Sequence, residues 1–334
     1  MAQVVLLMGL DIILFVFIIS VLAFIRPRKK ADESLSLEST VPLRGIMAVA
    51  IALHHFSEMT SEGRFFPFLQ HIGYLIVAVF FFLSGYGLMV SYKKKGQDYL
   101  NHFWKKRILY LFIVCAVFTL IYVVYYIAVN QLTLPWLRAM HIWYLFIQII
   151  LYVIFWISFK AFKNNDIAAI GMAFALETIL VVLLIIRGFV AYWYISNYAF
   201  LIGIIWGKYK KDIDSILSKH YIVSLAAAII CFAFFSGLPS LTGFSYDVSR
   251  ILSAASFPVL ISVIMKKITI VGTFWKWVGR ISLEIYLLHG IIYKLLQYII
   301  SDEVLRVILT FIITISISIG AGFLSRKLKE LLNR

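Results

Sequence analysis

Apolar residues run along this chain in long stretches separated by short polar blocks. Stretches of about twenty residues fall near 3–25, 42–59, 71–92, 107–129, 141–162, 166–187, 189–207, 221–237, 249–267, 279–299 and 304–324. A helix needs about 20 apolar residues to cross the hydrocarbon core of a bilayer, with some tolerance for tilt. The pattern therefore predicts about eleven transmembrane helices in an all-α, polytopic bundle. The longest polar stretches, 26–41 and 93–106, have the length of ordinary loops, so no soluble domain is expected. The first apolar stretch is longer than the core of a signal peptide and carries no small-residue cleavage site, so it reads as a retained anchor. On this reading residues 1–40 form an N-terminal transmembrane anchor with a basic cytoplasmic loop, and residues 41–334 form one membrane domain.

Composition agrees: 63% of the 334 residues are hydrophobic and 14% charged, with a mean hydropathy of +0.96. Soluble domains run nearer half apolar and a quarter charged. The net charge of +15 would suggest nucleic acid in a soluble protein. Here the basic residues sit in blocks between apolar stretches, which points instead to topology and to anionic membrane lipids. Counting loop by loop, one side holds 25 Lys and Arg residues and the other holds four: Arg64, Arg138, Arg187 and Arg250. Basic residues favour the cytoplasmic side. The expectation is a multi-pass protein of the cell membrane with its amino terminus outside and its carboxyl terminus in the cytoplasm. Cys115 and Cys231 both lie in apolar stretches and read as small buried hydrophobes. Neither a disulfide framework nor a metal site is predicted.

Ionisable groups inside spans are costly and mark functional sites. Residues 41–55, VPLRGIMAVAIALHH, place Arg44 and His55 eleven residues apart. Eleven steps of an α-helix turn about 1100°, three turns plus roughly 20°, and rise roughly 16 Å. The two side chains share a face, with Arg44 at the cytoplasmic interface and His55 deep in the membrane. A snorkelling anchor and a packed histidine would give the same pattern, but a neutral imidazole in a low-dielectric cavity also suits a general base. FFFLSGYG at 80–87 offers Ser84 as a hydrogen-bond donor and Gly85 and Gly87 for close helix packing. FWKKR at 103–107 gathers Lys105, Lys106 and Arg107, as a topology anchor or a clamp for phosphates. HIWYL at 141–145 brings His141 and Trp143 to the outer side, where an aromatic belt is the alternative reading. GRISLEIYLLH at 279–289 puts Ser282 and His289 on one face, seven residues apart, with Glu284 nearly opposite. Asp11 and Glu177 read as solvated carboxylates near span ends.

In order along the chain, these motifs resemble those of integral-membrane acyltransferase family 3, which includes bacterial polysaccharide O-acetyltransferases. The Arg44-to-His55 spacing is similar to that family's Arg-x10-His signature. FFFLSGYG, HIWYL, FLIGIIWGKY at 200–209 and GRISLEIYLLH resemble four later motifs, so the likeness covers about 41–324. The family's Arg-x-x-Arg pair is incomplete here, because Tyr110 stands three residues after Arg107. The family core has ten spans, and this chain adds the 3–25 stretch before them. No hydrolase-like domain is expected after it.

The resemblance implies transfer of an acyl group, most often acetyl, from cytoplasmic acyl-CoA to a hydroxyl of a cell-surface or lipid-linked carbohydrate, without a bound cofactor. His55 would be the base. Arg44 and the Lys105, Lys106 and Arg107 cluster would hold the donor, with Ser84 near the reacting carbonyl. His141, Trp143, Ser282 and His289 would line the acceptor or cavity side. Direct transfer and a relay through a protein side chain both remain open. A transporter or flippase for a lipid-linked saccharide is the competing reading. It predicts Gly- or Pro-broken helices in matching halves, and no such repeat is present.

Overall fold

The computed structural model describes residues 2–28, 34–60, 62–129, 143–237 and 244–333. Helices dominate them: α1 Ala2–Ala23, α2 Leu37–Glu58, α3 Gly73–Lys95, α4 Gln97–Asn101, α5 Leu109–Ala128, α6 Trp143–Ala161, α7 Asp166–Ile186 and α8 Tyr198–Lys208. Then follow α9 Lys210–Lys219, α10 Tyr221–Ser236, α11 Phe244–Ile264, α12 Thr273–Arg280, α13 Ser282–Leu296 and α14 Glu303–Asn333. A 3₁₀ turn spans Phe66–His71 and a π-helical turn, Trp104–Ile108, leads into α5. Two three-residue strands, β1 Ile25–Pro27 and β2 Ile268–Ile270, pair antiparallel with Arg26 opposite Thr269.

The chain is an all-α, multi-pass membrane protein. Among the described residues, six helices are long and apolar enough to cross a bilayer: Gly73–Lys95, Trp104–Ala128, Trp143–Ala161, Asp166–Ile186, Ser245–Ile264 and Glu303–Leu332. A seventh span results if α9 and α10, bent by 107°, are taken together. The surfaces of these helices show why they need lipid. Ile167, Phe174, Ile179 and Ile186 on α7 are all more than half exposed, as are Ile222, Ile230 and Phe234 on α10. So much outward apolar surface is tolerated only where the solvent is itself apolar. Every predicted stretch falls on helix, but several are shorter or more polar than a full span. The 189–207 stretch is α-helical only from Tyr198 onward, in α8, and the 279–299 stretch divides between α12 and α13.

The chain separates into two compact units. The first comprises residues 1–76 and 264–326. In it α2 packs along α12 and α13, and small residues let the backbones meet. A Cβ at Gly279 would collide with the Val41 carbonyl, and one at Gly45 would lie 2.6 Å from the Trp275 carbonyl oxygen. A core of Leu10, Leu14, Leu53, Phe56, Phe66, Tyr293 and Val307 fills the other end of α2.

The second unit comprises residues 77–263 and 327–334. There α3 and α8 cross as closely: a Cβ at Gly85 would strike the Phe200 carbonyl, and one at Gly203 the Phe82 carbonyl. Gly87 by contrast has open space beside it, so of the two glycines read as packing residues in FFFLSGYG only Gly85 serves that purpose.

Three expectations change at this level. Cys115 is buried, but Cys231 is exposed, on the apolar outer face of α10. Asp11 and Glu177 are not solvated, being 8% and 1% exposed. Glu177 sits in the middle of α7 because that helix runs from Asp166 to Ile186, which puts residue 177 roughly 16 Å from its start and roughly 13 Å from its end.

Candidate active site

The first unit gathers three histidines and a glutamate where α2 meets α13. The frame begins with capping. The Ser36 side chain accepts from the Ser39 backbone N–H and starts α2. Some five turns later the helix presents His54, His55 and Glu58. His55 Nδ1 lies 3.1 Å from Glu58 Oε2, and His54 Nε2 lies 3.5 Å from Glu58 Oε1. The carboxylate lies beside both rings, since residues three and four apart on a helix are neighbours, and its hydrogen bond is the one with His55.

His54 is held from outside its own helix. Its Nδ1 meets the Leu69 carbonyl at 2.8 Å, and a carbonyl only accepts, so the ring proton is on Nδ1. The His54 ring fills the space beside Gly73, where a Cβ would collide with it. Leu69 is positioned by the preceding loop, which Asp11 clamps. The Asp11 carboxylate accepts the backbone N–H groups of Arg64, Phe65 and Phe66 at 2.9, 2.8 and 2.8 Å. Gln70 adds a 2.6 Å bond to the Ser57 carbonyl, and the Ser57 hydroxyl donates to the His54 carbonyl.

α13 supplies the third ring. His289 stacks on His55 with centroids 5.2 Å apart and planes 19° from parallel. Its Nδ1 donates to the Ile285 carbonyl at 3.0 Å. His289 is 4% exposed and rests against Phe56 and Tyr286. Phe56 in turn stacks on Tyr293, whose hydroxyl meets Arg306 at 3.3 Å. Arg306, buried near the start of α14, also donates to the Ile300 and Ser301 carbonyls. Backbone carbonyls therefore let this guanidinium lie inside an apolar stretch.

Chemically, this arrangement can receive a proton. With Nδ1–H of His55 donated to Glu58, Nε2 carries the basic lone pair. When Nε2 accepts a proton the ring becomes a cation, and the carboxylate 3.1 Å away stabilises it. His54, His55 and Glu58 also present ligand atoms within 4.8 Å of one another, a spacing that would suit a metal ion. The hydrogen bonds just described engage Nδ1 of both histidines and Oε2 of Glu58.

The structure brings His55 and His289, two of the residues singled out in the sequence, into contact. Ser282, 8% exposed, begins α13 two turns before His289. Arg44 is on α2 as expected, half-buried, with Nε 3.5 Å from the Thr40 carbonyl. The other singled-out residues belong to the second unit. Lys105, Lys106 and Arg107 are exposed on the π-helical turn, and Arg107 lies over the Tyr99 ring at 5.9 Å. Such single π turns are frequent at functional sites. Ser84 is half-buried on α3. Trp143 and Tyr144 are each 9% exposed, so they are inward-packed and do not form a lipid-facing belt. His141 lies outside the described residues.

Glu58, His54 and Asp11 complete the centre, and sequence reasoning missed all three. Glu58 was detectable: a carboxylate one turn after a membrane histidine is a ready hydrogen-bond partner. A family model described as an acyltransferase domain matches residues 43–324. No curated protein and no solved structure matches the chain.

Proposed function

From the premise that the chain belongs to integral-membrane acyltransferase family 3, we propose that it transfers an acyl group, acetyl first, from cytoplasmic acyl-CoA to a hydroxyl of a cell-surface or lipid-linked carbohydrate. The observation that carries this reading is the Glu58–His55 hydrogen bond at 3.1 Å beside the stacked His289 ring. It is the base-and-orienter pair that activation of a hydroxyl requires.

In the proposed reaction the acceptor hydroxyl gives its proton to Nε2 of His55 while its oxygen attacks the thioester carbonyl carbon. The resulting tetrahedral oxyanion collapses with cleavage of the carbon–sulfur bond. The coenzyme A thiolate leaves and takes the proton back from the His55 imidazolium, so the products are an O-acyl ester and free coenzyme A. Glu58 holds the ring and balances its charge in between. Arg44 on α2 supplies a cation for the phosphates of the donor, and Lys105, Lys106 and Arg107 on the π-helical turn form a cationic patch of the same chemistry within their own unit. Lys105 and Lys106 take the place of the second arginine of the family's pair. The basic ends of the spans are placed on the cytoplasmic side of the plasma membrane, where acyl-CoA is found.

The test uses the purified full-length protein in detergent with acetyl-CoA. Thioester hydrolysis or exchange by the wild type, lost in His55→Ala while the protein stays folded, is the expected result. An inert wild type would point to a transporter or scaffold. Full activity in folded His55→Ala would remove His55 from the mechanism.

A further inference from the structure

The second unit contains a buried polar layer that no step above uses. Its depth can be measured from a common end. Lys208 at the end of α8 pairs with Asp166 at the start of α7, 3.2 Å apart. Eleven residues from that bridge, roughly 16 Å along each helix, lie Asn197 and Glu177. The bond from the Tyr198 hydroxyl to Thr178 Oγ1, at 3.0 Å, confirms that these levels coincide. Gln148 on α6 lies thirteen residues before that helix ends, within roughly 3 Å of the same height.

All three side chains are buried, with Gln148 2%, Glu177 1% and Asn197 0% exposed. Among the described residues, neither carboxyl oxygen of Glu177 has a hydrogen-bond partner, nor does either amide atom of Asn197 or Nε2 of Gln148. Gln148 Oε1 does accept from the Tyr144 hydroxyl at 3.0 Å, which holds the amide in one orientation. Native proteins rarely leave such groups unsatisfied, and three at one depth call for an explanation.

The backbone is unusual at the same place. α8 has eleven residues, enough for about half a bilayer. Before it, the chain from Arg187 is irregular apart from one 3₁₀ turn, Ala191–Trp193. Yet Trp193, Tyr194, Ile195, Ser196 and Asn197 are all buried. Irregular backbone at membrane depth persists only inside protein or against a polar cavity, and a half-helix N-terminus there is where membrane proteins meet polar ligands. Aromatic faces stand nearby: Trp143 lies 5.3 Å from Tyr192 and 6.2 Å from Trp193, and Phe189 lies 5.0 Å from Trp193.

We infer that Glu177, Asn197 and Gln148, with the Trp143–Trp193 aromatic cluster, form a carbohydrate-binding site inside the second unit. Hydroxyl groups both donate and accept, which is what a carboxyl and two carboxamides need at once. The C–H face of a pyranose ring packs on aromatic faces while its hydroxyls bond the polar layer. A polyanion would meet a carboxyl group and no cation among these residues. The inference rests on the acyltransferase reading for its view of the sugar as acceptor, but the binding itself does not require transfer.

The experiment therefore separates the two. Methyl α-glucoside, methyl α-galactoside and methyl N-acetyl-α-glucosaminide serve as probes with the full-length protein in nanodiscs. Binding is read by saturation-transfer NMR without acyl-CoA, and the KM for glycoside by acetyl transfer. Glu177→Leu and Asn197→Leu should raise the glycoside Kd and KM about tenfold or more, the equivalent of about 1.4 kcal/mol. Acetyl-CoA hydrolysis without glycoside should stay as in the wild type. Glu177→Gln and Asn197→Asp, which keep the shape, guard against variants that fail to fold and should shift the Kd less. The inference is overturned if no glycoside binds the wild type, or if both leucine variants bind it as the wild type does. It is equally overturned if they lose hydrolysis and transfer together, because the layer would then be structural. Glycoside binding without any acyl transfer would leave this site standing and sink the transferase reading.

Discussion

In the first unit the polar groups around the histidine centre reach one another or a backbone carbonyl: His54 to Leu69, His55 to Glu58, His289 to Ile285, and Arg306 to Ile300 and Ser301. Away from that centre, Thr314 Oγ1 and Ser318 Oγ on α14 have no hydrogen-bond partner among the described residues. In the second unit Glu177 and Asn197 reach nothing among the described residues. Both units bury polar chemistry in an apolar bundle, at similar cost in desolvation. The difference lies in what completes each. A proton-handling centre has to hold its geometry before substrate arrives, so its bonds are made within the protein. On the inference above, the layer of the second unit keeps its bonding capacity for the ligand.

The sharpest way to break this comparison is to remove the base. His55→Ala should lower acyl transfer by about 10²- to 10⁴-fold, the usual contribution of a positioned general base. Circular dichroism should show an unchanged helix content. A loss of less than about tenfold would mean that the completed network of the first unit is scaffolding.

Glu58→Gln comes next. The amide still reaches His55 but no longer balances an imidazolium, and it can turn its NH₂ group toward Nδ1 and reverse the tautomer. Transfer should fall roughly ten- to a hundredfold in kcat, with KM for acetyl-CoA unchanged. Glu58→Asp should recover part of the loss. Equal activity in Gln and Glu forms would show that the charge is idle.

Stability separates the two regions in opposite directions. Asp11→Ala strips the acceptor from three backbone N–H groups, so unfolding should become easier by roughly 2 kcal/mol or more. Asn197→Leu removes an amide that has no partner, so it should cost nothing or even stabilise, within about 1 kcal/mol of the wild type. Thermal denaturation of the two proteins in one detergent checks both. If Asn197→Leu destabilises as much as Asp11→Ala, the layer is already satisfied within the folded chain.

Much of this architecture was legible in the pattern of residues, for identifiable reasons. Bilayer thickness imposes a single length scale, so every predicted stretch contains helix, although the 189–207 stretch is α-helical only from Tyr198 onward and, among the described residues, six or seven of the eleven stretches are full spans. Helical pitch is equally fixed, so the placement of Arg44 and His55 on one helix followed from counting. The His55–His289 stack was half visible: both were marked as membrane histidines, but their contact depends on the α2–α12 crossing at Gly45 and Gly279, a tertiary fact. Glu177 was misjudged although the predicted 166–187 stretch begins where α7 does: eleven residues from one end and ten from the other already place its carboxylate at mid-span, and reading it as an end group overlooked that count. Asp11 was misjudged for another reason. Its partners are backbone N–H groups of residues 64–66, and main-chain donors leave no mark in a side-chain pattern.

The smallest effect addresses how His289 acts. Its ring is nearly parallel to His55 at 5.2 Å, a stacking geometry rather than a hydrogen bond, and its Nδ1–H is committed to the Ile285 carbonyl. Such a ring holds its neighbour in place by contact and passes no proton along. An aromatic pair is worth about 0.5–1.5 kcal/mol beyond its buried area, which corresponds to roughly two- to twelvefold in rate if all of it orients the base. His289→Ala should therefore lower kcat by about that factor. His289→Phe keeps the face, gives up one intrahelical bond, and should restore kcat to roughly wild type. Should the Phe and Ala variants be equally impaired, the nitrogen and not the face is what the first unit requires, and His289 would have to be counted among the groups that carry the proton.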